Sequence, residues 1–162
     1  MIFEIDVSGE DIFAKDYTIV IADKNDTIRG FKFNSKSIQD LVLNYSSNKY
    51  RYKVSKHGKV LLKIRVYCVV IYYLFENLKI RNKEITLEIC RDFHGHEREI
   101  TSQLKFFLEN KLGLKINCIY LRLPKGSNAD KYAYLMRKDT KNQIKGYITI
   151  TLENIEKYLK KK

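Results

Sequence analysis

The sequence predicts an α/β fold: a mixed sheet whose first three strands are antiparallel and whose later strands are parallel, with helices packed on it. Three observations carry that prediction. Within the first 34 residues, three strand-like segments are joined by connections too short for anything but antiparallel neighbours. Two later strand patterns are each approached through a long stretch with helical spacing, and connections of that length are parallel crossovers. The 162 residues include one proline and seven glycines, which leaves little room for linkers. Residues 1–162 therefore read as a single domain, long enough to bury a real core, with no repeat and no low-complexity stretch.

Each element has its own justification. "IFEIDV" (2–7) alternates Phe3, Ile5 and Val7 against Ile2, Glu4 and Asp6, the pattern of a half-buried strand with an acidic end. "YTIVIA" (17–22) is evenly apolar and β-branched, which suits a central strand. "TIRGFKFN" (27–34) alternates again after a turn at Lys24, Asn25 and Asp26. "SKSIQDLVLNYSS" (35–47) opens on a capping serine and has helical spacing at Ile38, Leu41 and Val42. "YRYKVSKHG" (50–58) is polar and basic, a loop. The apolar segment from Lys59 to Leu78 is β-branched but too long for a strand, so it is expected to form a buried helix.

"EITLEICRD" (84–92) is the fourth strand, with Ile85, Leu87 and Ile89 on one face and Glu88, Cys90 and Asp92 on the other. "HEREITSQLKFFLENKLGL" (96–114) is an amphipathic helix, with Gly113 as its C-cap. "INCIYLRL" (116–123) is the fifth strand. "KGSNADKYAYLMRKDTK" (125–141) continues as helix after a cap at Ser127 or Asn128. "GYITIT" (146–151) is expected to add an edge strand, and "LENIEKYLKKK" to end the chain as a basic helix.

Composition narrows the function. Lys and Arg outnumber Asp and Glu by 31 to 19, a formal charge of +12, which points to an anionic partner, nucleic acid first. The longest apolar run, "VYCVVIYYLF" (66–75), is ten residues, about half of a membrane span. Glu4 and Asp6 interrupt any signal-peptide pattern, so a soluble, cytoplasmic protein is expected, with no membrane partner. Cys68, Cys90 and Cys118 lie in apolar contexts without paired spacing and read as buried, reduced thiols.

Asp6 stands where a strand ends, beside Ser8 and Gly9. A carboxylate there is either a turn residue or one arm of a metal site. In the predicted sheet the first and fourth strands are parallel neighbours, and ligands bind at the carboxyl ends of such strands. Asp6 ends the first, Asp92 the fourth, and Asp130 lies in the first turn of the helix after the fifth. Three carboxylates distant in sequence would then meet at one edge, and oxygen donors of that kind suit Mg²⁺ or Mn²⁺.

The order of elements resembles the ribonuclease H-like fold, whose nucleases place acids on the first strand, the fourth strand and the last core helix. More narrowly, "IFEIDVSGEDIFAKDYTIVIA" resembles the opening of a poorly characterised prokaryotic family with an Asp-Glu-Ser-Gly strand end and a late Ala-Asp-x-x-Ala helix. Asp6, Ser8 and Gly9 match the first motif while Val7 replaces its acid, leaving one fewer ligand. Ala129, Asp130 and Ala133 match the second. The resemblance implies a metal-dependent nuclease that cleaves phosphodiester bonds in RNA or DNA. The alternative is a non-catalytic nucleic-acid-binding protein on the same fold.

The late motif also has its own physics. Ala129 and Ala133 share a helical face and let the backbone approach the sheet, so that Asp130 projects over the strand ends. "MRK" (136–138) follows as a set of phosphate contacts. In "CRDFHGHERE" (90–99), Asp92, His94, His96 and Glu97 have the donor types of a transition-metal site. The favoured reading keeps Asp92 as the ligand and His94 or His96 as nearby groups able to assist water attack or leaving-group protonation. Glu88, on the face of Asp92, is a further candidate ligand. Glu76 falls on the central helix where ribonuclease H enzymes carry an acid, and Asp11 reads as a turn residue. Tyr45, Tyr50 and Tyr52 interleave with Lys49, Arg51, Lys53 and Lys56, a pattern that serves base stacking and phosphate tracking or simply an exposed strand.

Overall fold

The first strand, β1 (Ile2–Ser8), is buried on both faces along most of its length, and this comes from its place in the sheet. In the computed structural model, which describes residues 1–161, the sheet has five strands in the order β3-β2-β1-β4-β5. Strands β2 (Thr18–Ala22) and β3 (Ile28–Lys32) complete an antiparallel meander with β1. Strands β4 (Glu84–Cys90) and β5 (Lys115–Leu121) run parallel to β1 on its other side. The mixed sheet read from the sequence is present, with β1 at the point where connections diverge.

Helices cover both faces. On one lie α1 (Ser35–Ser46), α2 (Lys56–Leu78), α3 (Glu97–Leu104) and the short α5 (Leu152–Glu156). Phe3, Ile5, Ile19, Ile21 and Phe31 from the sheet meet them in the main core. α2 is buried around most of its circumference, including the whole run Val66–Tyr72, which explains why its sequence is apolar without clear amphipathicity. α4 (Asn128–Lys138) lies alone on the other face, packing Ala129, Ala133 and Met136 on Val20, Ala22 and Ile28. The two alanines are fully buried and bring this helix close to β1 and β2.

Three expectations about the later elements change. The 96–114 segment is not one regular α-helix: after Leu104 it continues as a π-helical stretch over Lys105–Lys111. The wider winding lets the adjacent Phe107 and Leu108 both enter the core while Phe106 turns outward. Gly113 then ends it with a left-handed φ of 69°, as a C-cap glycine should. The 146–151 segment is not an edge strand. It touches β3 through a single parallel bridge, Gly30 with Tyr147, and then turns inward with Ile150 in the main core and Thr151 capping α5. The last helix stops at Glu156, because the backbone around Leu159 and Lys160 pairs instead with Tyr50 and Arg51.

Candidate metal centre

β1 carries alternate side chains to the face that α4 covers, so Glu4 and Asp6 both leave the strand toward that helix and both are buried. On the neighbouring strand the same face carries Glu88 and Cys90, and the chain bends immediately after Cys90 to bring Asp92 back over the strand end. One carboxylate oxygen each from Asp6 and Asp92 and the sulfur of Cys90 consequently lie within 4.8 Å of one another. Asp130 approaches Asp6 from the first turn of α4, close enough for its charge to act on Asp6, although it does not join the three-atom group. The Asp130 carboxylate accepts the Gly126 N–H at 2.9 Å, which holds it at the helix start.

The electrostatics are those of carboxyl groups brought together where solvent reaches them poorly. Burial pushes the Asp6 carboxyl up from its ordinary value. The Val7 N–H, donating at 2.8 Å, and the Cys90 thiol oppose this, and the Asp130 charge adds to it. Asp92 is raised to about 7, by burial of its carboxyl first and the Asp6 charge second, even though the residue as a whole is exposed to solvent. Burial also raises the Cys90 thiol to about 11, helped by Asp6 and Asp92, so at neutral pH it is a protonated, neutral group. Tyr17 is pushed up mainly by burial and next by the Asp92 charge, which reaches its hydroxyl. A divalent cation would oppose the shifts of Asp6, Asp92 and Cys90, since it favours the deprotonated donors.

Asp6, Asp92 and Cys90 could therefore hold a metal ion. The oxygen donors are of the type a hard cation takes, with Asp92 giving up its proton near neutral pH, whereas the Cys90 thiol gives up its proton only well above neutrality. Cys90 corrects the reading of all three cysteines as buried thiols: only Cys68 is buried, and Cys90 is half-buried at the cluster. Its signal was present in the sequence, because the alternation of the fourth strand already set it on the face of Asp92.

The remaining candidates fall around this group. Glu88 sits on the right face but opposite Glu4 in the strand register, one pair further from the strand ends, and is outside the three-atom group. Glu4, not singled out by sequence, accepts the Ala129 N–H at 3.3 Å and so ties β1 to the start of α4. His94 is exposed in the loop between β4 and α3, and His96 heads α3 without a side-chain capping bond; neither joins the group. Glu76 lies near the far end of α2, where it accepts from Tyr72 at 3.0 Å. Asp11 does form a turn, and it also pairs with Lys63 at 2.7 Å. Of "MRK", Met136 is buried, while Arg137 donates to the Ser8 hydroxyl at 2.7 Å and stands at the end of β1.

The tyrosine ladder read between residues 45 and 56 does not form. Tyr45 is buried, donating to the Lys53 carbonyl at 2.7 Å, and Tyr50 is fully buried against Glu156 at 2.6 Å. Both rings belong to the core, and only Tyr52 remains partly open, beside Arg51. No helix among the described residues is long and apolar enough to cross a membrane. No protein-family model matches the chain, and no curated protein matches it.

Proposed function

We propose that this protein is a divalent-metal-dependent nuclease of ribonuclease H-like build that hydrolyses phosphodiester bonds in nucleic acid. The observation that carries the reading is the convergence of Asp6 and Asp92, with Asp130 alongside, at the carboxyl ends of two adjacent parallel strands. The strand order, with an antiparallel meander on one side of β1 and parallel crossovers on the other, supports the same resemblance. The charge of +12 supports a polyanionic substrate.

Asp6, Asp92 and Asp130 would hold Mg²⁺ or Mn²⁺, which would supply orientation of the attacking water and stabilisation of charge on the phosphate. The chain's own residues do the rest. Burial raises both the Asp6 and the Asp92 carboxyl, and the Asp6 charge adds to the rise at Asp92, so a cation would bind them in competition with protons and more tightly as pH rises through neutrality. Arg137, positioned by Ser8, offers a charged donor to a phosphate beside the strand end. His94, exposed on the loop two residues after Asp92, would be the candidate to carry a proton to a leaving oxygen.

Labelled single- and double-stranded RNA and DNA, incubated with Mg²⁺, with Mn²⁺ or with chelator, test the proposal. Cleavage that needs the ion and is lost in Asp6→Asn supports it. The second reading, a non-catalytic nucleic-acid-binding protein on this fold, is favoured by Val7 standing where the resembled motif has an acid. Salt-sensitive binding without cleavage under any ion would select it.

A further inference from the structure

On the face of the sheet opposite α4, the helical layer holds a second feature. A cavity of about 460 Å³ opens between α2, the π-helical stretch and the C-terminal segment. Arg51, Arg65, Lys111, Lys157, Lys160 and Lys161 line it, and no acidic residue does. Among the described residues the carboxylate–cation pairs are Lys36 with Asp40 and Lys63 with Asp11, so none of these six cations has a carboxylate partner.

Arg65 shows how that charge is held. Its guanidinium is aimed by bonds to the Tyr158 carbonyl at 3.1 Å and the Gln103 side chain at 3.2 Å, and it stacks over Phe107 at 4.7 Å. Burial pulls its pKa down, and the neighbouring Arg51 charge adds to the fall, so the two guanidiniums repel one another. The Glu99 charge favours the charged form of Arg65, but its effect is the weakest of those acting on Arg65, and its carboxylate accepts from Gln103 at 2.7 Å.

The other walls are aromatic. Phe106 is 42% exposed, an unusual position for a phenylalanine, and it is flanked by Arg65 and Lys111 at 5.8 Å each. Tyr158 lies beneath Lys111 and Lys157. The π-helical winding is what turns Phe106 outward, and such stretches are rare and frequently functional. An exposed ring amid uncompensated cations has the makings of a stacking platform with an electrostatic groove.

We propose that this cavity is a binding site for single-stranded nucleic acid, with phosphates on Arg51, Arg65 and Lys160 and a base stacked on Phe106. It deepens the nuclease reading, on which the choice of ligand rests, by giving the chain a holding site across the sheet from the acid cluster. The test is fluorescence anisotropy with labelled single-stranded oligouridine and oligothymidine, a duplex, and inorganic polyphosphate as competitor. Arg51→Glu combined with Lys160→Glu should weaken single-strand binding at least tenfold and reduce the salt slope by about 1.4, from two lost phosphate contacts. Phe106→Ala should weaken it about tenfold without changing that slope. The same charge change at Lys24 and Lys141 should leave affinity within about twofold, since the two sites differ in position and not in net charge.

Equal losses in the two charge-reversed variants would overturn the site, as would unchanged binding in the Arg51/Lys160 variant. Loss in the charge variant but none in Phe106→Ala, with polyphosphate competing as well as oligonucleotide, would overturn the stacked-base assignment. Cleavage is measured separately in the wild type. Pocket-dependent binding with no cleavage defeats the nuclease reading alone, and ion-dependent cleavage with pocket-independent binding defeats this inference alone.

Discussion

Asp6 is buried in a strand yet keeps a carboxylate, and its surroundings separate two roles it could serve. Asp6→Asn preserves size and can still accept from the Val7 N–H, but it loses the charge that attracts a divalent ion. Cleavage with Mg²⁺ or Mn²⁺ should fall by at least a hundredfold in this variant, with the fold and most oligonucleotide affinity retained. Full activity would return Asp6 to a purely structural part. Asp92 gives a prediction of opposite character. Its carboxyl is raised from 3.8 to about 7, so the native state binds a proton more tightly than the unfolded chain does. In the absence of metal, stability should therefore fall as pH rises from about 4 through about 7, where the native carboxylate loses its proton. Asp92→Asn should melt higher than wild type at pH 8 in chelator and at the same temperature at pH 4. A shift of this size would correspond to about 4 kcal/mol if fully buried, and solvent screening at an exposed residue reduces the expectation to about 1–2 kcal/mol. Added Mg²⁺ should stabilise the wild type at pH 8 and not the variant. Thermal melts across pH, with and without the ion, check both signs.

α4 is the element that brings Asp130 beside the acid cluster, because its distance from β1 sets where Asp130 stands. That distance is short because Ala129 and Ala133 are buried against the sheet with almost no exposed surface. Ala133→Leu should cost about 1–3 kcal/mol through overpacking, and it should lower metal-dependent cleavage more than the loss of folded protein accounts for. Chemical denaturation beside cleavage assays on the folded fraction would separate the two effects. A variant destabilised by that amount with normal cleavage would show that Asp130 contributes nothing. The existence and order of the strands and of α2 were legible in the sequence because each has the periodicity or length that its burial requires. The π-helical stretch was not, since "KFFLENK" has ordinary helical composition and only the need to bury both Phe107 and Leu108 changes the winding. The same holds for 146–151, whose strand-like alternation is overridden when Ile150 enters the core.

At the scale of the whole molecule, charge is the property to test. A chain with 31 basic and 19 acidic residues should bind oligonucleotides with an affinity that falls at least tenfold between about 50 and 200 mM salt, as counterions are released. Binding that is flat with salt would point to recognition by shape or apolar contact instead. Two local groupings of charge lie on opposite sides of the sheet. One side carries the crowded acids of Asp6, Asp92 and Asp130, and the layer opposite α4 carries the uncompensated cations around Arg65. If the proposed nuclease reading and the proposed binding cavity both hold, such an arrangement would make binding and cleavage separable by mutation.

By itself the sequence determined the α/β class, the five strands and their directions, and the placement of Asp6, Asp92 and Asp130 toward one end of the sheet. Those features follow from local periodicity and connection length, which neighbouring residues settle among themselves. What only the tertiary structure decided was membership and exposure. Cys90 enters the cluster because the chain bends after it and folds Asp92 back over the strand end. Glu88 stays out because the parallel register sets it opposite Glu4, away from the strand ends. Tyr45 and Tyr50 are core residues because Lys53 and Glu156, far from obvious in a linear reading, receive their hydroxyls. Composition counts cations, but only packing brings Arg51, Arg65 and Lys160 into one cavity with no acid in its walls. Contacts between residues distant along the chain are set by how faces close on one another, and no single segment carries that information.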